Sequence, residues 1–386
     1  MTAGRPHRRL SGLTRAKALI SQLALTLLPL LAAHRTPAQP LVLAPAAQSP
    51  PASTATAADA VAVEALRRQP AGPEQRRAYL TAAHALLGRY WSPRQPVRLL
   101  LAGERASGCG SPVVSHPLAF YCPQSREIGL ALDLRRSVRT ARGRSDQDLL
   151  LLELAILAHE WGHHINAEQG LGPFRGGLGL TVRQEELAAD WRTGTVLGWM
   201  LSTGAIGVDD FTQTANLLFE MGDYERLANQ HHGYPKDRFD ALIRGVAGQI
   251  RPGQDLGGWT VDTPETFSRP LGTSSSGLRV YEVRRFEISR GGQIATNLLG
   301  GLLGAASCLW GSREQCLGMA LQQGKGRADG RYTKRQLTLQ CASGRFDVSD
   351  DDFDSQPIGR DGKGQAAVLA ARDCGGTGPA ISAGGN

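Results

Sequence analysis

The stretch LAHEWGHHIN, residues 157–166, sets two histidines four positions apart, with a glutamate directly after the first. On a helix, positions four apart lie on one face, one turn above the other. His159 and His163 can therefore both aim an imidazole nitrogen at one ion about 2.0–2.1 Å away, the usual zinc–nitrogen distance. Glu160 stands about 100° around the helix, beside such an ion rather than on it, where it can take a proton from a bound water. Zinc lowers the pKa of that water towards about 7 and polarises a carbonyl, so one site supplies nucleophile and electrophile. This is the H-E-x-x-H spacing of metallohydrolases.

Catalytic zinc usually keeps three protein ligands and one open position. A third histidine in the extended form of this motif would stand six residues beyond His163, and that position is Gln169. The other solution is a carboxylate from the next helix. The run EELAAD offers Glu186, with Asp190 four residues on, so Glu186 can bind the metal. Asp190 can accept a hydrogen bond from the second nitrogen of a ligand histidine and fix its tautomer. Glu185 is the alternative ligand, but it has no acid at that offset and points about 100° away. His164 faces away from His163 and is expected to support the site or the fold. Donors for a developing oxyanion are sought among His232, Tyr234 and Arg238, with His232 the candidate for a part in catalysis.

These side chains need elements to hold them. SDQDLLLLELAILAHEWGHHINAEQG (145–170) predicts a helix capped by Ser145 or Asp146, ended by Gly170 and largely buried, since it is apolar nearly all round from Leu149 to Ala158. Ordinary composition yields H-E-x-x-H by chance in about 1% of chains this long. Solvated histidines on a surface helix are the alternative reading. Against it, the motif closes an almost charge-free helix, a costly place for polar groups that bind nothing. Further helices are expected at 59–69, 74–90, 183–201, 209–223 and 235–250, and strands at 96–103 and 126–134 around a Cys109–Cys122 loop.

The outer segments differ in kind. Residues 1–38 join a basic start, the apolar run ALISQLALTLLPLLAA and small residues, the order of a secretory signal peptide. An uncleaved membrane anchor is the competing reading. Residues 39–58 read as a linker, 59–250 as the domain carrying the motif, and 251–277 as a second linker rich in Pro, Gly, Ser and Thr. Residues 278–374 read as a smaller β-rich, disulfide-containing module, within which the uncharged stretch 291–312 is taken as a buried or tethered helix. Residues 375–386 form a glycine-rich tail expected to be disordered. The six cysteines include no C-x-x-C pair, and in an exported chain they read as disulfides. Their distribution pairs Cys109 with Cys122 locally and leaves the pairing of Cys308, Cys316, Cys341 and Cys374 open.

Four stretches, AFYCPQSREIGLALD, LAHEWGHHIN, RQEELAADWRTG and HHGYPKDRFDALIRG, occur in the order found in the bacterial neutral zinc metallopeptidase family, which the chain resembles from about Leu99 to Gly245. Members are similar in a Cys-Gly loop closing on Phe-Tyr-Cys-Pro, then H-E-x-G-H-H, then E-L-x-A-D. The resemblance implies a glutamate-ligand zincin in which His159, His163 and Glu186 hold Zn2+ and Glu160 is the base. It also supports the Cys109–Cys122 pair. Trp161 and Asn166 depart from the family's usual residues, and beyond about residue 250 the chain looks unlike it.

The net charge of +8 falls to +2 without residues 1–38, which carry six basic residues and no acid. No basic patch with interleaved aromatics occurs elsewhere, so nucleic acid is not an expected partner. The fold expected is α+β: a mainly helical zincin-like metallopeptidase domain with a small sheet, followed by the β-rich module. The function expected is an exported, secreted or periplasmic zinc metalloendopeptidase acting on protein or peptide substrates, touching membrane only through an uncleaved N-terminal segment. The alternative is an envelope binding or scaffold protein that keeps the zinc fold as a platform for its C-terminal module.

Overall fold

The computed structural model describes residues 53–69, 71–110, 113–114, 118–131, 134, 143–171, 182–221, 235–288, 330–343, 345–350, 361–374 and 382–383. The expected signal segment, the stretch 291–312, Cys308 and Cys316 lie outside these residues.

The chain is mixed α+β. Helix α1 (Ala57–Arg67) begins with Thr56 and Asp59 exchanging side-chain and backbone hydrogen bonds, so it starts within the expected linker. Helix α2 (Pro73–Trp91) opens on a proline, whose fixed φ suits the first helical position. It buries Tyr79, Leu80, Ala83, Leu86, Leu87, Tyr90 and Trp91. Strands β1 (Arg98–Leu101), β2 (Leu118–Cys122) and β3 (Glu127–Ala131) form a three-stranded sheet in the order β1-β3-β2, β1 parallel and β2 antiparallel to β3. Sequence periodicity had no signal for the five-residue β2, which ends at the Cys109–Cys122 disulfide.

Helix α3 (Asp146–Glu168) carries the motif. Ser145 caps it by accepting from the Asp148 amide at 3.1 Å while Asp148 accepts from the Ser145 amide at 3.3 Å, and Gly170 leaves it at φ 74°. The helix is buried along most of its length, as its apolar composition requires. Its one acid in the apolar stretch, Glu153, is paired with Arg76 of α2 at 2.9 Å. Burial pushes that carboxyl upward and Arg76 partly offsets it.

Helices α4 (Val182–Ser202), α5 (Val208–Glu220) and α6 (Pro235–Ala247) follow. Where 251–277 reads as a linker, the chain instead forms β4 (Thr260–Thr263) and β5 (Thr266–Thr273). With β6 (Arg279–Ile288), β7 (Gly330–Gln340), β8 (Arg345–Asp350) and β9 (Ser382–Ala383) they make a six-stranded sheet in sequence order. Neighbours are antiparallel except β8 and β9, which run parallel, so the tail expected to be disordered contributes one short strand.

Nor does a boundary near residue 250 divide the molecule into two cores. Trp259, Val261, Phe267, Phe286 and Tyr332 of the β-rich part lie in one apolar cluster with Phe211, Phe219, Phe239 and the buried face of α3. Phe286 stacks on Phe239 with ring centroids 3.5 Å apart. A smaller cluster, Tyr281, Val283, Leu337, Leu339 and Phe346, packs on Ala366 and Leu369 of helix α7 (Asp361–Asp373), which the Cys341–Cys374 disulfide ties to the end of β7. Among the described residues, no helix is long and apolar enough to cross a membrane.

Candidate metal centre

Two helices build the centre, and they meet through their backbones. A Cβ on Gly162 of α3 would stand 2.8 Å from the Ala189 Cα of α4, so larger residues at either position would separate the helices. His159 and His163 stand three residues before and one after Gly162, and Glu186 and Asp190 stand likewise about Ala189, so that contact brings the acids to the histidines. Helix α6 closes on α4 in the same way. A Cβ on Gly194 would stand 1.8 Å from the Leu242 carbonyl oxygen, and one on Gly245 would stand 2.0 Å from that of Trp191. These absent side chains let Arg238, near the start of α6, reach Asp190.

His159 Nε2 lies 3.1 Å from His163 Nε2 and 3.2 Å from Glu186 Oε2, and His163 Nε2 lies 3.6 Å from Glu186 Oε1. Three ligand atoms, one from each residue, thus fall within 4.8 Å of one another, and the group can hold a metal ion. The rings stand at 89° to each other, with centroids 4.7 Å apart. Four tetrahedral ligands at about 2.0–2.1 Å from zinc lie about 3.3 Å from one another, close to the spacings found here. The chemistry of the donors agrees. Two imidazole nitrogens facing each other beside a carboxylate are electron-pair donors turned to one point, an arrangement that a cation stabilises.

The reverse sides of the rings face acids. His159 Nδ1 lies 3.0 Å from Asp190 Oδ1, which makes His159 the ligand histidine that Asp190 approaches. Asp190 accepts two hydrogen bonds from Arg238, Nε and Nη2 each at 2.8 Å. Burial works against the charge on His159, but Asp190 and Glu186 outweigh it and lift the imidazole to about 10 in the metal-free chain. Burial likewise pushes the Asp190 carboxyl up, and Arg238 with His159 holds it below its ordinary value. His163 Nδ1 donates to Glu185 Oε1 at 3.3 Å. Glu160 is buried beside His159 on α3.

The remaining polar groups of the motif helix anchor it. His164 is wholly buried and lies away from the cluster. Its Nε2 donates to the Gln95 carbonyl at 3.1 Å, and its Nδ1 accepts from Tyr121 Oη at 3.0 Å, which ties β2 to α3. Trp161 Nε1 donates to His84 Nδ1 at 3.1 Å, so His84 carries its proton on Nε2 and gives it to the Val97 carbonyl. Asn166 accepts from Arg192 Nε at 2.8 Å. Arg192 is buried against Trp91, and burial draws its guanidinium down to about 10. The two positions that depart from the family resemblance, Trp161 and Asn166, therefore serve packing.

Of the oxyanion candidates, His232 and Tyr234 lie outside the described residues. Arg238 has two donors committed to Asp190. Sequence reasoning missed that bond because it joins two helices whose approach depends on glycines rather than on any local spacing.

No family model, curated protein or solved structure matches the chain.

Proposed function

We propose that the protein is a zinc-dependent peptidase of the glutamate-ligand zincin type, resembling the bacterial neutral zinc metallopeptidases. The observation that carries this reading is the set of ligand-atom separations, 3.1, 3.2 and 3.6 Å, among His159, His163 and Glu186. In this reading those three residues hold Zn2+. The chemistry such an ion would supply there is polarisation of a substrate carbonyl and a water made nucleophilic near neutral pH. Glu160, directly after the first ligand and buried, serves as general base: its carboxylate takes a proton from the attacking water and returns it to the leaving amine. Asp190 keeps the His159 proton on Nδ1, and Arg238 keeps Asp190 ionised and in place. The Cys109–Cys122 and Cys341–Cys374 disulfides favour action in an oxidising compartment outside the cytoplasm.

The test is hydrolysis of an unbiased peptide library by zinc-loaded protein and by Glu160→Ala. The wild type is expected to cleave, and the variant to lose about 10²–10⁴-fold in rate while keeping its metal. Equal cleavage by Glu160→Ala would remove the mechanism. No cleavage by zinc-loaded wild type would leave the envelope-scaffold alternative in its place.

A further inference from the structure

We infer that Glu185 is the positioning residue of His163, holding that imidazole as Asp190 holds His159. The inference rests on the metal centre proposed above and places Glu185 outside the ligand set. Glu185 and Glu186 are consecutive on α4, so their side chains leave the helix about 100° apart. The two carboxylates reach opposite edges of one ring. Glu186 Oε1 approaches His163 Nε2 at 3.6 Å, whereas Glu185 Oε1 accepts from Nδ1 at 3.3 Å. An atom on the Nδ1 edge is turned away from the point where the two Nε2 atoms meet. Glu185 therefore cannot share an ion with them in this arrangement.

The bond also settles the tautomer. A carboxylate only accepts, so Nδ1 carries the proton and Nε2 presents its lone pair to the centre. Neither histidine then depends on water for its orientation, and both supports come from α4, at positions 185 and 190. The rival account makes Glu185 an acid in the first turn of α4 that favours the helix N-terminus. Such an acid serves by its charge alone and from solvent, but only 14% of the Glu185 side chain is exposed.

Zinc affinity by chelator competition, with the absorption spectrum of the Co2+-loaded protein, separates these accounts. Wild type, Glu185→Ala, Glu185→Gln and Glu186→Ala would be compared, each checked for helix content without metal. Expected is an affinity about 10–100-fold lower for Glu185→Ala, most of it recovered in Glu185→Gln, whose amide oxygen still accepts, with the four-coordinate cobalt spectrum kept in both. Wild-type affinity in Glu185→Ala would overturn the inference. So would a loss as complete as that of Glu186→Ala with a changed spectrum, which makes Glu185 a ligand. Equal losses in Glu185→Ala and Glu185→Gln with falling helix content would return Glu185 to the helix-end role. If wild type bound no metal, the centre itself would fall, and the inference with it. Peptide cleavage enters none of these readouts.

Discussion

Asp190 is the residue on which the centre turns. It lies 3.0 Å from His159 Nδ1 on one side and takes both Arg238 hydrogen bonds on the other, with little solvent access. Replacing it with alanine takes away the buried carboxylate that accepts two hydrogen bonds from Arg238, and breaking a buried pair from one side costs about 3–5 kcal/mol. Asp190→Ala is therefore expected to lower the midpoint of chemical denaturation strongly and to weaken zinc binding about 10–100-fold. Asp190→Ala together with Arg238→Met removes both charges and should regain much of the stability but not the affinity. Recovery of both in the double variant would show that Asp190 acts on the fold alone. The Glu186 and Asp190 pair was legible because both sit on one helix four residues apart, a relation that sequence carries directly. Arg238 was not, since its partner lies 48 residues away on another helix. Glu185 was weighed only as a rival ligand, because which edge of a ring a carboxylate meets cannot be read from spacing.

Helices α3, α4 and α6 reach the site only because their glycines leave room. Gly194 and Gly245 occupy the α4–α6 crossing, where an added methyl would meet backbone atoms at 1.8 and 2.0 Å. Gly194→Ala is expected to destabilise by about 1–3 kcal/mol despite alanine's better helix propensity, and to loosen the Arg238–Asp190 bond with a matching loss of zinc affinity. Gly88 on α2 is the contrast. Its nearest neighbour, Trp161, would lie at an ordinary 3.6 Å. Gly88→Ala should therefore gain up to about 1 kcal/mol. Thermal melts of the two variants should move in opposite directions; a shared direction would remove the crossing argument.

The small sheet has its own control. Glu127 on β3 accepts from the Ser107 amide at 2.8 Å, Ser107 Oγ at 2.8 Å and Ser125 Oγ at 2.7 Å, and pairs with Arg98, securing the loop that the Cys109–Cys122 bridge closes. Burial raises its carboxyl, but these donors outweigh it and bring it down to about 2. A depressed acid stabilises the fold above its unfolded value, near 4.5, and that contribution is lost as pH falls through about 2. The stability gap between wild type and Glu127→Gln should be full at pH 6 and close progressively between pH 4.5 and 2. A gap independent of pH would argue against the ionised network.

At the scale of the molecule, the α+β class and the order of helices could be read from apolar periodicity, and the largest departure lay in the β-rich part. Residues 251–277 look like a linker because β4 and β5 bury few apolar side chains, chiefly Val261 and Phe267, among Thr, Ser, Gly and Pro. Both lie in the shared core, where Phe267 of β5 packs against Phe211 of α5 and against Tyr332 of β7 and so joins the sheet to the helices. The full chain is accordingly expected to unfold the helical and β-rich parts in one calorimetric transition. Phe286→Ala, which opens a cavity at the joint, should lower that single transition by about 3–5 kcal/mol. Two separated transitions, with only one moved by Phe286→Ala, would restore the picture of independent domains.

The central claim, that His159, His163 and Glu186 form one metal site, is tested most directly by zinc content. Protein equilibrated with zinc and freed of excess is expected to retain about one ion per chain, with Glu160→Ala retaining the same and His163→Ala or Glu186→Ala retaining none. Retention of zinc by folded His163→Ala and Glu186→Ala at the wild-type level, or its absence from folded wild type, would contradict the account.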